Sequence, residues 1–247
     1  MADETVDEND PVVVTKIEYK GTKVSVLEDV YEPAEDTFLM ADCAVKEFSD
    51  YEKNSGNARH AEQFELDDPF SALEVGCGSG FVSAFLLNHF SDLDLIAVDI
   101  NPNAVKCAQM NGVRAFESDM FDIFEKSRHL RSIDTPIEDV SPSKPPLGFD
   151  LILFNPPYLP TSEDEKVSGM LNYAFDGGVT GRDSIDRFLK EVGDYLKSDG
   201  FFLLLISSIT GLDETVTEMK KNGFSAEVVG TKKCSFEELI VLKGKRL

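Results

Sequence analysis

The chain of 247 residues has no tryptophan, three histidines, four cysteines, and 24 basic residues against 46 acidic ones. Each scarcity excludes something. His60, His89 and His129 stand apart from one another and from Cys43, Cys77, Cys107 and Cys234, so no metal-ligand spacing exists and no metal site is expected. Cysteines scattered without CxxC pairs do not build a disulfide scaffold. That pattern points to a reducing compartment, the cytoplasm, with the nucleus open to the chain as well. A formal net charge of −22 leaves too few lysines and arginines to neutralise a phosphate backbone. Stable nucleic-acid binding is therefore not expected, nor is docking on an anionic membrane. No apolar run approaches the roughly 20 residues of a membrane span, and Phe201–Ile206 is only strand-sized. The start, MADETVDENDP, lacks the apolar segment of a signal peptide.

What is present is enough for one core, since 42% of residues are apolar and 18 are phenylalanine. Residues 1–11 read as a disordered acidic tail, and 12–247 as a single domain. Residues 1–70 carry 19 acids and 6 bases, so −13 of the charge sits there. Val12–Tyr19 and Lys23–Leu27 flank Gly21 and predict a hairpin. Pro33 opens a helix whose Phe38, Ala41, Val45 and Phe48 share one face. Asp50–Asp68 is polar and reads as a loop insertion; Lys126–Gly148, with four prolines, reads as a second.

Between and after these, strands alternate with helices. The strands are Leu73–Val75, Leu93–Val98, Val113–Phe116, Phe149–Phe154 and the FFLLLI run; the helices are Phe81–Phe90, Asn103–Asn111, Asp183–Lys197 and Asp213–Asn222. This order predicts a mainly parallel α/β sheet with helices on both faces. Phe224–Val229 and Glu237–Leu242 are close enough in the chain to pair antiparallel at its end.

Glu74-Val75-Gly76-Cys77-Gly78-Ser79-Gly80 places a glycine-rich turn between a strand and a helix. Glycines there let backbone amides and a helix N-terminus approach a bound group. Asp99 ends the next strand, where a carboxylate can accept from both hydroxyls of a ribose. Dinucleotide and S-adenosylmethionine sites share this geometry, and a tight turn without ligand would also produce it. The spacing is G-x-G-x-G rather than the pyrophosphate fingerprint, and Glu74 suits a cationic amine better than a pyrophosphate. Both details favour a cofactor bearing an amino acid. Asp119 follows the third strand, placed to accept from an adenine amine with Met120 against the ring; taken alone it reads more readily as an exposed acid, and only its position after that strand gives the cofactor reading weight. Cys77 has no base or triad partner and is not read as a nucleophile.

Asn155-Pro156-Pro157-Tyr158 follows the buried strand FDLILF and faces the same crevice. The Asn155 side-chain oxygen and the Pro156 carbonyl can each accept one N–H of a planar NH2 group, and Tyr158 can stack on its plane. Methyl transfer to such a nitrogen works chiefly by positioning.

With EVGCGSG, VDINP (Val98–Pro102), FNPPY and the segment Tyr31-Glu32-Pro33-Ala34-Glu35-Asp36-Thr37, the sequence resembles the class I, Rossmann-like S-adenosylmethionine-dependent methyltransferases carrying NPPY. More narrowly it resembles the HemK-type glutamine methyltransferases of release factors, in their eukaryotic and archaeal branch, over about residues 28–242. The resemblance implies a seven-stranded sheet with a C-terminal antiparallel strand. It implies that Thr37, Glu74, Gly76, Gly78, Asp99, Asp119, Met120 and Asn155 contact S-adenosylmethionine, leaving S-adenosylhomocysteine as product, and that Asn155, Pro156 and Tyr158 serve the acceptor. Glu32 and Glu35 are further acids of the signature. It also implies a class I release factor as substrate, through the glutamine of its GGQ motif, and a small zinc-binding activator subunit as partner. The edge at Val113–Phe116 is the candidate contact for that partner, by strand addition. Phe175–Gly178 and Gly181–Asp183 are expected to shape the substrate pocket, or else to form a surface loop with Arg182 paired to an acid.

The two insertions are longer than the family leads one to expect, and Cys77 stands where Ser or Thr is commoner. An adenine-N6 methyltransferase acting on a flipped base remains an alternative, but it would need a basic groove, and Lys243, Lys245 and Arg246 are the sole basic cluster. A protein-lysine methyltransferase, a SAM-binding regulator without catalysis and an NAD(P) oxidoreductase are the remaining alternatives. Intact NPPY argues against the regulator, and the missing fingerprint argues against the oxidoreductase.

Overall fold

Five strands rich in Val, Ile, Leu and Phe carry apolar side chains on both faces, as strands covered on both sides must. In the computed structural model, which describes residues 12–61, 69–125, 148–161 and 175–247, they build the centre of a seven-stranded sheet. The strands are β3 (Ser71–Val75), β4 (Asp94–Asp99), β5 (Ala115–Glu117), β6 (Phe149–Phe154), β7 (Leu196–Ser207), β8 (Glu227–Lys233) and β9 (Glu238–Gly244). Their order is β5-β4-β3-β6-β7-β9-β8; β3 to β7 run parallel, and β9 is antiparallel to both its neighbours. Helices α1 (Glu35–Ala61), α2 (Phe81–His89) and α3 (Pro102–Met110) cover one face, and α4 (Asp183–Glu191) and α5 (Leu212–Lys221) the other.

The alternation of side chains sorts the core into these two layers. Leu151, Leu153, Phe201 and Leu203 pack with Phe48, Phe81 and Phe85; Ile152, Phe154, Phe202 and Leu204 pack with Phe188, Leu189 and Met219. A separate hairpin pairs β1 (Val13–Tyr19) with β2 (Thr22–Leu27) through Lys20 and Gly21, both at positive φ. Asn111, at the end of α3, accepts from the Ser25 amide and donates to the Ser25 carbonyl, which fastens the hairpin to the domain.

The predicted architecture stands, with three corrections. Residues 50–61 continue α1 rather than forming a loop. No proline interrupts the chain between Pro33 and Pro69, and buried Tyr51 anchors the helix while Glu52, Lys53 and Asn54 face outward. A solvated helix face and a loop are both polar, so composition does not distinguish them. The predicted helix Asp183–Lys197 ends at Glu191, tightens into a 3-10 turn over Val192–Tyr195, and gives way to β7 at Leu196. Gly193 weakens the helix there, and Leu196 pairs with Phe149 in the sheet. Phe224 is a buried core residue ahead of β8, which runs on to Lys233. The proposed tail (1–11), the last part of the first insertion (62–68) and nearly all of the second (126–147) lie outside the described residues.

Strand order reverses between β3 and β6, so their carboxyl ends open a crevice. Val75 is in register with Phe154, which starts the Gly76 loop and the Asn155 loop side by side.

Candidate active site

The strand β3 must turn sharply into α2, and three glycines make the turn. Gly76, Gly78 and Gly80 all have positive φ. Gly80 is the most constrained: a Cβ there would lie 2.8 Å from that of Ala108 at a φ of 77°. Replacing Gly80 with alanine is therefore expected to cost about 1–3 kcal/mol of stability, read by thermal or urea unfolding.

This turn opens onto a cavity of about 350 Å³ that all ten predicted site residues line: Thr37, Glu74, Gly76, Gly78, Asp99, Asp119, Met120, Asn155, Pro156 and Tyr158. Glu74 is buried on β3, and its Oε2 accepts from the Ser83 amide at 3.0 Å and from the Ser83 hydroxyl. Burial pushes its carboxyl up to about 8 against those two donors, with Asp99 adding to the rise. Asp99, at the end of β4, accepts from the Gly78 amide and the Asn101 amide, each at 2.8 Å; burial nevertheless raises it. Cys77 is buried, and desolvation holds its thiol well above its ordinary value, which disfavours the reactive thiolate.

Beyond β5 the chain bends back. Met120 takes a positive φ of 47°, and the Ser118 hydroxyl donates to its carbonyl at 3.0 Å. The bend carries Asp119 and Met120 to the cavity wall. Asp119 also receives the Arg187 guanidinium of α4 at 2.6 Å, so it is a cavity group and one end of an ion pair at once.

After β6, the Asn155 side chain is oriented by a residue far away in the chain. Its Nδ2 donates to Asp36 Oδ2 at 3.1 Å. Among the described residues, Asn155 Oδ1 is the buried side-chain polar atom without a hydrogen-bond partner. A buried acceptor left bare is costly, which marks it as a group kept for something that enters the cavity. The sequence pattern assigns no role to Asp36 and groups Glu32 and Glu35 with the signature acids. The structure reverses this: Glu32 and Glu35 are exposed, Glu35 pairing with Lys232, while Asp36 is buried on the cavity wall. The helix start at Glu35 sets that phase.

The segment after Asn155 is walled in by the second glycine segment. Leu159 donates to the Phe175 carbonyl and accepts from the Gly177 amide, while the Gly181 Cα packs against the Tyr158 carbonyl with no room for a Cβ. Phe175 stands edge-on to Tyr31, ring centroids 5.5 Å apart, and Phe175 and Asp176 line the cavity. Arg182 bonds Asp186 at 2.7 Å and the Thr215 hydroxyl at 2.8 Å. Both expectations for this segment thus hold in part: Phe175 and Asp176 shape the pocket, and Arg182 pairs with an acid. Glu237, from the β8–β9 turn, also lines the cavity, and its sequence neighbourhood carries no signal for that.

No group of three or more potential metal ligands exists among the described residues, and no helix among them is long and apolar enough to cross a membrane.

The methyltransferase small domain family matches residues 45–233. A putative protein N5-glutamine methyltransferase of Methanocaldococcus jannaschii is 38% identical, over 94% of this chain and 99% of its own. Methyltransferase HEMK2 of Homo sapiens is 33% identical, over 87% and 89%. Among solved structures, the Mtq2–Trm112 complex of E. cuniculi superposes with a TM-score of 0.56 at 21% identity, over 89% of this chain and 99% of that one, a likeness of fold. With its glycine turn, paired acids and NPPY loop converging on one crevice, the chain belongs to the methyltransferase small domain family, as a HemK-type enzyme of the eukaryotic and archaeal branch.

Proposed function

We propose that the protein transfers a methyl group from S-adenosylmethionine to the side-chain nitrogen of the glutamine in the GGQ motif of a class I release factor. The bare acceptor Asn155 Oδ1 in the cavity carries this reading. The residues suit the cofactor: left-handed glycines for close backbone approach, buried Glu74 for an amino group and Asp99 for ribose hydroxyls. Thr37, Gly76, Gly78, Asp119, Met120 and Asn155 complete the proposed cofactor side. When bound, S-adenosylmethionine supplies a methyl group on a cationic sulfur.

At the acceptor side, Asn155 Oδ1 and the Pro156 carbonyl accept the two N–H bonds of the glutamine amide and hold its plane. Both oxygens stabilise the positive charge that gathers on that nitrogen as its lone pair forms the N–C bond, and the C–S electron pair stays with sulfur. Tyr158 packs on the plane. The surplus N–H proton leaves to solvent, so no strong base is required of the chain. Relatives named as a release factor glutamine methyltransferase and as the catalytic subunit of an eRF1 methyltransferase support this choice.

We further propose a small zinc-binding activator as partner, added to the exposed edge of β5, and a cytoplasmic or nuclear site of action. The structural likeness to a two-protein complex and the edge position of β5 support the first. The four free cysteines support the second.

The test is label transfer from methyl-tritiated S-adenosylmethionine, with and without such an activator, to a GGQ-bearing release factor, a lysine peptide and adenine-containing DNA. Mass spectrometry should locate the methyl on the glutamine N5. Label on lysine or adenine alone would overturn the reading.

Cofactor binding should also be linked to protons. With its carboxyl at about 8, Glu74 is largely protonated in the free protein at pH 7. A cationic amine favours the carboxylate, so binding releases a proton and affinity climbs as pH rises towards about 8. The same shift acts oppositely on the free fold: its stabilising share is full below the ordinary carboxylate range and is lost as pH rises through about 8. Calorimetry with S-adenosylhomocysteine across this range, in buffers of different ionisation enthalpy, checks the first, and urea unfolding of the free protein across the same range checks the second; Glu74→Gln should flatten both slopes.

A further inference from the structure

Side-chain amides are nearly symmetric in shape, so an asparagine in a site presents oxygen or nitrogen according to what lies behind it. Behind Asn155 lies Asp36, only 5% exposed, in the first turn of α1 and 119 residues away in sequence. Both of its oxygens are engaged by donors. Oδ1 receives the Thr37 amide at 2.6 Å and the Thr37 hydroxyl at 3.2 Å; Oδ2 receives the Tyr31 hydroxyl and Asn155 Nδ2, both at 3.1 Å. Four donors converging on one carboxyl leave it no role but acceptor.

A flipped Asn155 amide would set its carbonyl oxygen against a carboxylate oxygen and turn its NH2 into the cavity. We propose that Asp36 is a positioning residue that locks the Asn155 amide with its oxygen facing the acceptor, making this end of the site receptive only to a group that donates hydrogen bonds. The proposal rests on the reading of the site as one for nitrogen methylation, and assigns a task to the Tyr31–Thr37 segment. Tyr31 and Thr37 pin the carboxylate, the carboxylate pins the amide, and the amide faces the acceptor. Both oxygens of Asp36 are taken up by Tyr31, Thr37 and Asn155, so its effect on the acceptor is expected to pass through Asn155.

Three variants test this: Asp36→Asn, Asn155→Ala, and the two combined. Asp36→Asn keeps the shape but lets position 36 donate, which permits the flipped amide. The expected result is a drop in kcat of about 10²-fold, weaker binding of a glutamine peptide to the S-adenosylhomocysteine-loaded protein, and an affinity for S-adenosylhomocysteine itself that falls by no more than a few-fold. On the Asn155→Ala background, Asp36→Asn should add nothing, because the group it orients is gone. Independent, multiplying losses would overturn the proposal.

A swap keeps the question open should either single variant fold poorly. Asn155→Asp alone opposes two carboxylates; combined with Asp36→Asn, it restores a donor behind and an oxygen in front. The swap should recover at least about tenfold over Asn155→Asp, as expected for relieving a like-charge contact, and no recovery would overturn the proposal. Failure of the functional reading looks different: the wild-type protein would methylate lysine or adenine instead, and the coupling between positions 36 and 155 would then be read on that acceptor.

Discussion

Replacing Asn155 with alanine is expected to slow methyl transfer by about 10²- to 10³-fold, roughly 2.7–4 kcal/mol at the transition state, the scale of losing one preorganised polar group aimed at developing charge. The argument is local. Asn155 Oδ1 is bare in the cavity, and its amide nitrogen is held by Asp36, so the truncation removes one oriented acceptor and little packing. Unfolding midpoints should barely move, and affinity for S-adenosylhomocysteine should fall by no more than a few-fold, since the glycine turn, Glu74 and Asp99 remain. Single-turnover transfer to the release factor, set beside calorimetry of the product cofactor, separates these outcomes. A proportionate loss in both would mean that Asn155 chiefly holds the cofactor.

Five residues earlier, on β6 itself, Asp150→Ala should do the reverse. Asp150 is fully buried and accepts from the Ser71 amide at 2.8 Å, the Ser71 hydroxyl at 3.1 Å and the Tyr51 hydroxyl at 2.9 Å, while Lys197 Nζ sits at 2.7 Å. Removing the carboxylate strands a lysine whose side chain is 14% exposed, along with a backbone donor of β3. Breaking a buried ion pair from one side typically costs 3–5 kcal/mol. At about 2–4 °C per kcal/mol for a domain of this size, the melting temperature should fall by roughly 6–20 °C. At low temperature, where the variant remains folded, its kcat should stay near that of the parent, because four residues of strand carry the chain roughly 13 Å from position 150 to Phe154 at the cavity wall. Denaturant titration and activity at 10 °C together test the claim. The pair of variants would show that one strand carries a structural clasp at one end and the reaction at the other.

Much of this site is legible in the order of the residues alone. The glycine turn and the NPPY loop each combine a strand with unusual residues at its carboxyl end, and such signals are local. What the sequence hides is phase and distance. Within Glu35-Asp36-Thr37, the acid that turns inward depends on where α1 begins, and a Pro-Ala-Glu run leaves that open by a residue. The Arg187–Asp119 ion pair and the Asp36–Asn155 bond each join segments far apart in sequence, which no local pattern encodes. The helical state of residues 50–61 is hidden for a different reason: a solvated helix face and a loop have the same composition. The ends of α4 and β8 depart from expectation because pairing in the sheet, at Leu196 with Phe149 and at Lys233 with Glu238, outweighs local preference.

The position of β9 has a consequence for how the molecule comes into being. β8 precedes β9 in the chain yet lies outside it, reaching the sheet only through β9. In the order of synthesis, the earlier strand must therefore wait for the later one before it has anything to join. A chain stopped short of Glu238 would lose two strand interfaces instead of one and leave β7, with Phe202 to Ile206 fully buried in the finished fold, as an open apolar edge. Such an edge is a template for aggregation. Shortened products of this chain should accordingly be found insoluble rather than merely inactive.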